Sequence, residues 1–284
     1  MSHRSKTVVL DRAFHERPWG RPDLPAAYGA EGRRIGEVWH QSPGAALPVL
    51  IKSLFTSESL SVQVHPDDAS ALRAGLPSGK EEWWLVTAAE QHSVLGIGLR
   101  SPATSEVLRE AALDGSIIDL MQWFPVNAGD FFHIPPGTVH AIGAGVDIVE
   151  VQQNADVTYR LYDYGRGREL HLDIGIAAAQ ALPHPPQLRG RLTQKGLEGE
   201  GPRLLTECPH FKVWYVDASA LGAFPSGDFQ IVPLAGDAVI EDFIIRPGVV
   251  LWGHPLDLCS ASSDFACLVI DAAKPSCRPQ RERD

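Results

Sequence analysis

Residues 129–145 read GDFFHIPPGTVHAIGAG, and their punctuation sets the fold class. An aromatic strand-like run stops at Pro135-Pro136-Gly137, a turn signal, and His140 follows directly behind it. Upstream, SVQVHPDD (61–68) and GKEEWW (79–84) offer Gln63, His65 and Glu82. A strand-borne Gln-x-His, a glutamate and a histidine set by a tight turn are enough to hold one divalent metal.

Working outward, 22 prolines and 26 glycines lie between short apolar runs, which suits many brief strands joined by turns. The expected architecture is mainly β. Helical periodicity is confined to the segment after His65 (DDASALRAG), to Ser101–Met121 and to Glu169–Leu182, which read as insertions around a sheet core. The Pro-rich stretch 183–203 has few apolar anchors and reads as a linker, with an acidic, solvated patch near Glu198 and Glu200. From Leu204 strand-like runs resume in HFKVWYVD, FQIVPL, AVIEDFII, VVLW and ACLVIDA, so the chain carries two strand-rich parts. The expected division is 1–182, 183–203 and 204–284.

A chain of 284 residues can bury a substantial core. Its net charge of −10 repels polyphosphates and anionic lipid, so neither nucleic acid nor membrane is an expected partner. No apolar run reaches bilayer length and MSHRSKTVVLDRAF lacks a secretion signal, so a cytoplasmic location is expected. Cys208, Cys259, Cys267 and Cys277 have no C-x-x-C spacing and read as reduced thiols.

Period-two alternation sorts the candidate residues. Leu60, Val62 and Val64 should share one face of a strand, and Ser61, Gln63 and His65 the other. Likewise Lys80, Glu82 and Trp84 should lie opposite Glu81 and Trp83. A polar face on strands that are otherwise apolar points either to solvent or into a cavity with a purpose. Lys52, inside LPVLIKSLF, is a charge on a strand that needs a partner if buried. In VDIVEVQQNADVTYRLYDYGRGR, Glu150 pairs in facing with Gln152, and Arg160 with Tyr162 and Tyr164. Arg166 and Arg168 beyond them suit phosphate.

The ordered series LIKSLF, LSVQVHPDD, GKEEWW and IPPGTVHAIGAGVDIVEVQQNADVTYRLYDYGR resembles the type I mannose-6-phosphate isomerases in their short bacterial form, which are cupin-fold enzymes. Upstream RPWG (17–20) and GEVWH (36–40) extend the likeness, which is dense from Pro18 to His171 and weak afterwards. The resemblance implies a jelly-roll-like cupin barrel with helical insertions and a second, degenerate cupin barrel without metal at the C-terminus. It further implies one divalent ion, usually zinc, on Gln63, His65, Glu82 and His140, although this donor set also accepts iron, manganese, cobalt or nickel. Lys52, Lys80, Glu150 and Arg160 are then expected in the active site, with Ser61 and Arg166 at the phosphate. His133 is the competing ligand, read as structural, and a one-residue slip would exchange Glu81 for Glu82.

The implied reaction is the interconversion of mannose 6-phosphate and fructose 6-phosphate. In that reading Lys80 exchanges protons if its pKa is depressed, Glu150 shuttles them, and Arg160 steadies an oxyanion. Two rivals use the same residues: a metal-dependent cupin oxygenase, which needs no cationic pocket unless its substrate is an anion, and a sugar-phosphate-binding cupin without turnover. Oligomeric state is not legible.

Overall fold

A computed structural model describes residues 7–29, 32–44, 46–192, 201–220, 227–253 and 258–272. The chain divides into two compact units, one of Leu10–Gly199 and one of Met1–Val9 with Glu200–Asp284. A two-residue strand, β1 (Val8–Val9), begins the second of these.

The larger unit is a sandwich of two antiparallel sheets with helices outside one of them. Its strands in chain order are β2 (Asp11–Arg21), β3 (Ile35–Gln41), β4 (Val49–Phe55), β5 (Val62–Val64), β6 (Glu82–Ala89), β7 (Val94–Leu99), β8 (Met121–Pro125), β9 (Asp130–Ile134), β10 (His140–Ile142), β11 (Val146–Gln153), β12 (Tyr159–Tyr162) and β13 (Arg189–Arg191). Seven form a sheet in the order β13-β9-β6-β11-β4-β3-β2, and five form a second in the order β12-β5-β10-β7-β8. Trp84, Val86, Leu54 and Phe132 of the first sheet meet Leu95, Ile97 and Ile142 of the second in one core. The other face of the five-stranded sheet buries Val62, Val64, Ala141 and Leu161 under helices.

Those helices are α1 (Asp68–Arg73), α2 (Ser105–Asp114), α3 (Ile117–Leu120) and α4 (Leu172–Ala178), all within the expected insertions. Asp67 and Thr104 cap α1 and α2 by accepting from Ser70 N and Val107 N. Leu108, Ala111 and Ala112 of α2 and Ile176 of α4 supply the apolar stripe that covers the sheet. This layering explains the alternation of β5. Its valines face the helices, so Gln63 between them faces the sandwich interior. Leu60 departs from the expected facing because it precedes the strand. It joins the core between the sheets instead.

The smaller unit has a six-stranded sheet and a three-stranded one. Its remaining strands are β14 (Arg203–Glu207), β15 (Phe211–Asp217), β16 (Phe229–Ala235), β17 (Ala238–Ile240), β18 (Phe243–Ile245), β19 (Leu251–Gly253), β20 (Leu258–Ala261) and β21 (Ala266–Ala272). The sheet orders are β1-β19-β16-β21-β15-β14 and β18-β17-β20. AVIEDFII, expected as one run, is a hairpin: Glu241 takes φ 50 and Ile240 pairs Phe243 across the turn.

Part of the expected linker is not one. Pro183 bridges Gly98, and β13 adds to the sheet edge against β9, so the described residues of this stretch up to Leu192 pack on the larger unit. The patch at Glu198 and Glu200, His254 and Cys277 lie outside the described residues, as does the Cys259 side chain. Among the described residues no helix is long and apolar enough to cross a membrane.

Candidate active site

The PPGT turn places the first candidate ligand. Thr138 N donates to Pro135 O (3.1 Å), and Gly137, at φ 84, donates from its amide to His65 O (2.9 Å). A Cβ at Gly137 would meet Ala178 O at 3.0 Å, so both space and backbone angle demand glycine. Two residues past the turn, β10 opens on His140, whose Cα partner across the sheet is Gln63. The second anchor is the start of α1. Asp68 Oδ1 accepts from Gly79 N (2.7 Å) and Gln153 Nε2 (3.0 Å), and Lys80 N donates to Pro66 O (3.0 Å), which pins GKEE beside His65.

His65, Glu82 and His140 converge and are all buried, their ligating atoms lying within 4.8 Å of one another. His65 Nε2 stands 3.3 Å from Glu82 Oε1, and His140 Nε2 stands 3.8 Å from Glu82 Oε2. His140 Nδ1 lies 2.8 Å from Thr138 O, which fixes it as the protonated nitrogen and leaves Nε2 with a bare lone pair. That Nε2 and both Glu82 oxygens are buried without a hydrogen bond, although the Lys80 ammonium pairs with the carboxylate. Burial, and Lys80 beside it, hold His65 down to about 3; burial also lowers His140. Burial opposes the charge of Glu82, but Lys80 and His65 outweigh it and keep the carboxylate well below its usual range. Neutral imidazoles and an ionised carboxylate converging in one buried place, with Lys80 Nζ 3.3 Å from His65 Nε2, are the donor set a divalent cation takes. The residues fit a metal.

Glu81 faces the other way. Its Oε1 pairs with His133 Nε2 at 2.7 Å and its amide donates to Gln153 Oε1 (2.9 Å), so neither Glu81 nor His133 joins the convergent group. The strand register separates the two glutamates as alternation predicts.

Next to this group is a cavity of about 420 Å³, whose lining includes Lys52, Ser61, Gln63, Lys80, Glu150 and Arg160. Its charged wall is a row of directly paired residues across three strands: Lys52 opposite Glu150, and Glu150 opposite Trp84. Trp84 Nε1 donates to Glu150 Oε1 (3.1 Å), and Lys52 Nζ stands 3.6 Å from Glu150 Oε2. Burial and the neighbouring charge of Glu82 push Glu150 up to about 7, with Lys80 and Lys52 opposing. Burial works against the Lys80 charge, but Glu82 and Glu150 raise its pKa above the ordinary lysine value. The condition set on Lys80 as a proton exchanger, a depressed pKa, is not what this chain's own groups produce. Arg160 Nη1 donates to Glu169 O (2.7 Å), while its buried Nε makes no hydrogen bond.

Among the candidate catalytic and phosphate-binding residues, Arg166 is the one that does not line the cavity. Its guanidinium donates to Ser59 O (2.8 Å) and to the Asp163 backbone carbonyl (3.2 Å). Tyr162, expected beside Arg160, packs with the helices instead, because the pairing of β12 with β5 shifts register between Arg160 and Tyr162.

Sequence reasoning missed a second charged group on the wall. Arg17 forks onto Glu37 (3.0 and 3.3 Å), Trp39 Nε1 donates to the same carboxylate (2.6 Å), and Lys52 Nζ sits 4.4 Å from the Trp39 ring centre. Burial would raise Glu37, yet Lys52 and Arg17 bring it to about 2. Glu37 and Trp39 share a strand face within GEVWH, the available clue. Arg168 also lines the cavity.

No family model matches the chain. A curated mannose-6-phosphate isomerase of Streptococcus mutans is 34% identical over 224 residues, covering 75% of this chain and 70% of that protein. Mannose-6-phosphate isomerase ManA of Bacillus subtilis is 35% identical over 206 residues, 67% of this chain and 64% of that protein. Among solved structures, a mannose 6-phosphate isomerase from Bacillus subtilis superimposes with a TM-score of 0.70 at 22% identity, covering 94% of this chain and 99% of that one. A likeness at that identity speaks to the fold, here the two-sheet cupin arrangement.

Proposed function

The chain belongs to the mannose-6-phosphate isomerases, and from that membership we propose how its cavity interconverts mannose 6-phosphate and fructose 6-phosphate. The carrying observation is the convergence of His65, Glu82 and His140 at a cavity walled by Lys52, Lys80 and Arg160. A volume of about 420 Å³ suits a phosphorylated hexose, at the small end of ordinary ligand sites.

Aldose-ketose isomerisation takes a proton from the carbon beside a carbonyl, passes through an enediolate and returns a proton to the neighbouring carbon. Gln63, His65, Glu82 and His140 would hold one divalent ion, zinc by preference, which as a Lewis acid lowers the cost of negative charge on the sugar oxygens. Glu150 is the proton-moving group: it is fixed by Trp84 and Lys52 and faces the cavity. Lys52 and Lys80, each paired with carboxylate neighbours, stabilise developing negative charge, and Arg160 steadies the oxyanion. Ser61 and an arginine from the segment after β12 take the phosphate. Such an ester does not cross a bilayer unaided, which agrees with a cytoplasmic enzyme.

Purified protein assayed with mannose 6-phosphate through a coupled detection of fructose 6-phosphate, with elemental analysis, tests this. Turnover with about one ion per chain, zinc the most abundant, is expected. Oxygen consumption without isomerisation, or sugar-phosphate binding without turnover, overturns it.

A further inference from the structure

β12 ends at Tyr162 and runs on into Asp163-Tyr164-Gly165-Arg166-Gly167-Arg168. Tyr164, Gly165 and Gly167 all take positive φ (53, 74 and 74), so the chain turns sharply here, with Gly167 separating the two arginines. Both arrive at one buried carboxylate, Asp163, which is 3% exposed. Arg166 Nη2 stands 3.1 Å from Asp163 Oδ1 while also donating to Ser59 O, and its guanidinium lies 5.3 Å from the Tyr164 ring centre. Its hydrogen bonds run to backbone carbonyls, and its ion pairs to Asp163 and, at 4.0 Å from Nη1, to Glu58. They tie the turn to the segment that carries Ser61.

Arg168 is built otherwise. Nε and Nη2 fork onto Asp163 Oδ2 and Oδ1 at 2.7 and 2.5 Å, which locks the guanidinium plane and leaves Nη1 uncommitted. The side chain lines the cavity with Ser61, Thr158 and Arg160. A dianion needs N–H groups that face it and are not already engaged.

We propose that Arg168 is the phosphate ligand of this site, acting with Arg160 and Ser61, and that Arg166 is a positioning residue that holds the Ser59–Ser61 segment in place. This rests on the sugar-phosphate reading above and replaces Arg166 with Arg168 at the phosphate.

The metal-loaded full-length enzyme and its R168A, R168K and R166A variants are compared by steady-state kinetics with mannose 6-phosphate, by calorimetric titration with inorganic phosphate and by thermal melting. R168A should raise KM about tenfold or more and weaken inorganic phosphate by a similar factor, with kcat changed less than about threefold. R168K should recover part of both losses. Folding should survive in R168A, because Asp163 keeps Arg166 as a partner. R166A should lower the melting temperature and move phosphate affinity less than R168A does. The assignment fails if R168A leaves KM and phosphate affinity unchanged, or if R166A weakens phosphate more than R168A. Wild-type protein without isomerase turnover defeats the functional reading instead, while the phosphate titrations still decide between the two arginines.

Discussion

The two units solve the same packing problem with opposite interiors. The smaller closes its sheets over Val216, Phe229, Ile231, Ile240, Leu251 and Val269, and among its described residues the buried polar side chains are Thr7 and Gln230, neither ionisable. The larger buries Lys52, Lys80, Glu82, Glu150, His65 and His140 between its sheets. Burying charge costs several kcal/mol per ion unless each is paired, so the larger unit gives up stability to hold chemistry while the smaller gives up none. We propose that the smaller unit is a metal-free barrel whose part in the enzyme is structural.

This contrast breaks most sharply at the ligands. His140→Ala should lose the bound metal and reduce isomerase activity to background, and chelation of the wild type should do the same; the melting temperature of the chelated wild type should stay near that of the variant. Leu251→Ala in the smaller unit should do the reverse, costing about 2–5 kcal/mol of stability while metal content and kcat persist. Metal retained in His140→Ala, by elemental analysis, would end the ligand assignment. Activity lost in a folded Leu251→Ala protein would end the claim that the smaller unit is only structural.

A smaller effect sharpens the same division within the site. Glu150→Gln keeps the shape and the Trp84 contact but cannot cycle a proton, so kcat should fall about 10²–10⁴-fold with metal content unchanged. Metal loss in that variant would mean that Glu150 organises the ion and does not move protons.

How far the site was legible follows from how local its logic is. The separation of Glu82 from Glu81 needs only strand alternation, and the placing of His140 needs only a Pro-Pro-Gly turn, so both can be read from neighbouring residues. Arg17 meeting Glu37 requires β2 to bend back on β3, with a break in register between Glu16 and Arg21 that no periodicity announces. Arg166 and Arg168 are two residues apart with the same chemistry, and the positive φ of Gly167 between them, after those of Tyr164 and Gly165, decides which one reaches the cavity. The hairpin at Glu241 was hidden for the same reason, since a non-glycine residue at φ 50 leaves no mark in composition. The first residues of the expected linker look solvated by composition, yet they complete a sheet edge that lies far back in the sequence.

The least of the expected effects concerns a buried ionisable group of the larger unit that is not on the cavity wall. His40 is 2% exposed, its Nε2 lies 3.3 Å from Ser53 Oγ, and burial together with Arg12 holds its pKa down to about 3. The folded state keeps this ring neutral while the unfolded chain protonates it near 6.5. Its contribution is therefore present above pH 6.5 and is lost as the pH falls from 6.5 toward 3, by about 2 kcal/mol at pH 5. Melting temperatures of metal-stripped wild type and His40→Gln, measured from pH 7 to pH 5, should converge on acidification by an amount of that size. Parallel curves would mean that this histidine is solvated or protonated in the native state. The acid sensitivity of the larger unit would then rest on the groups around the metal site.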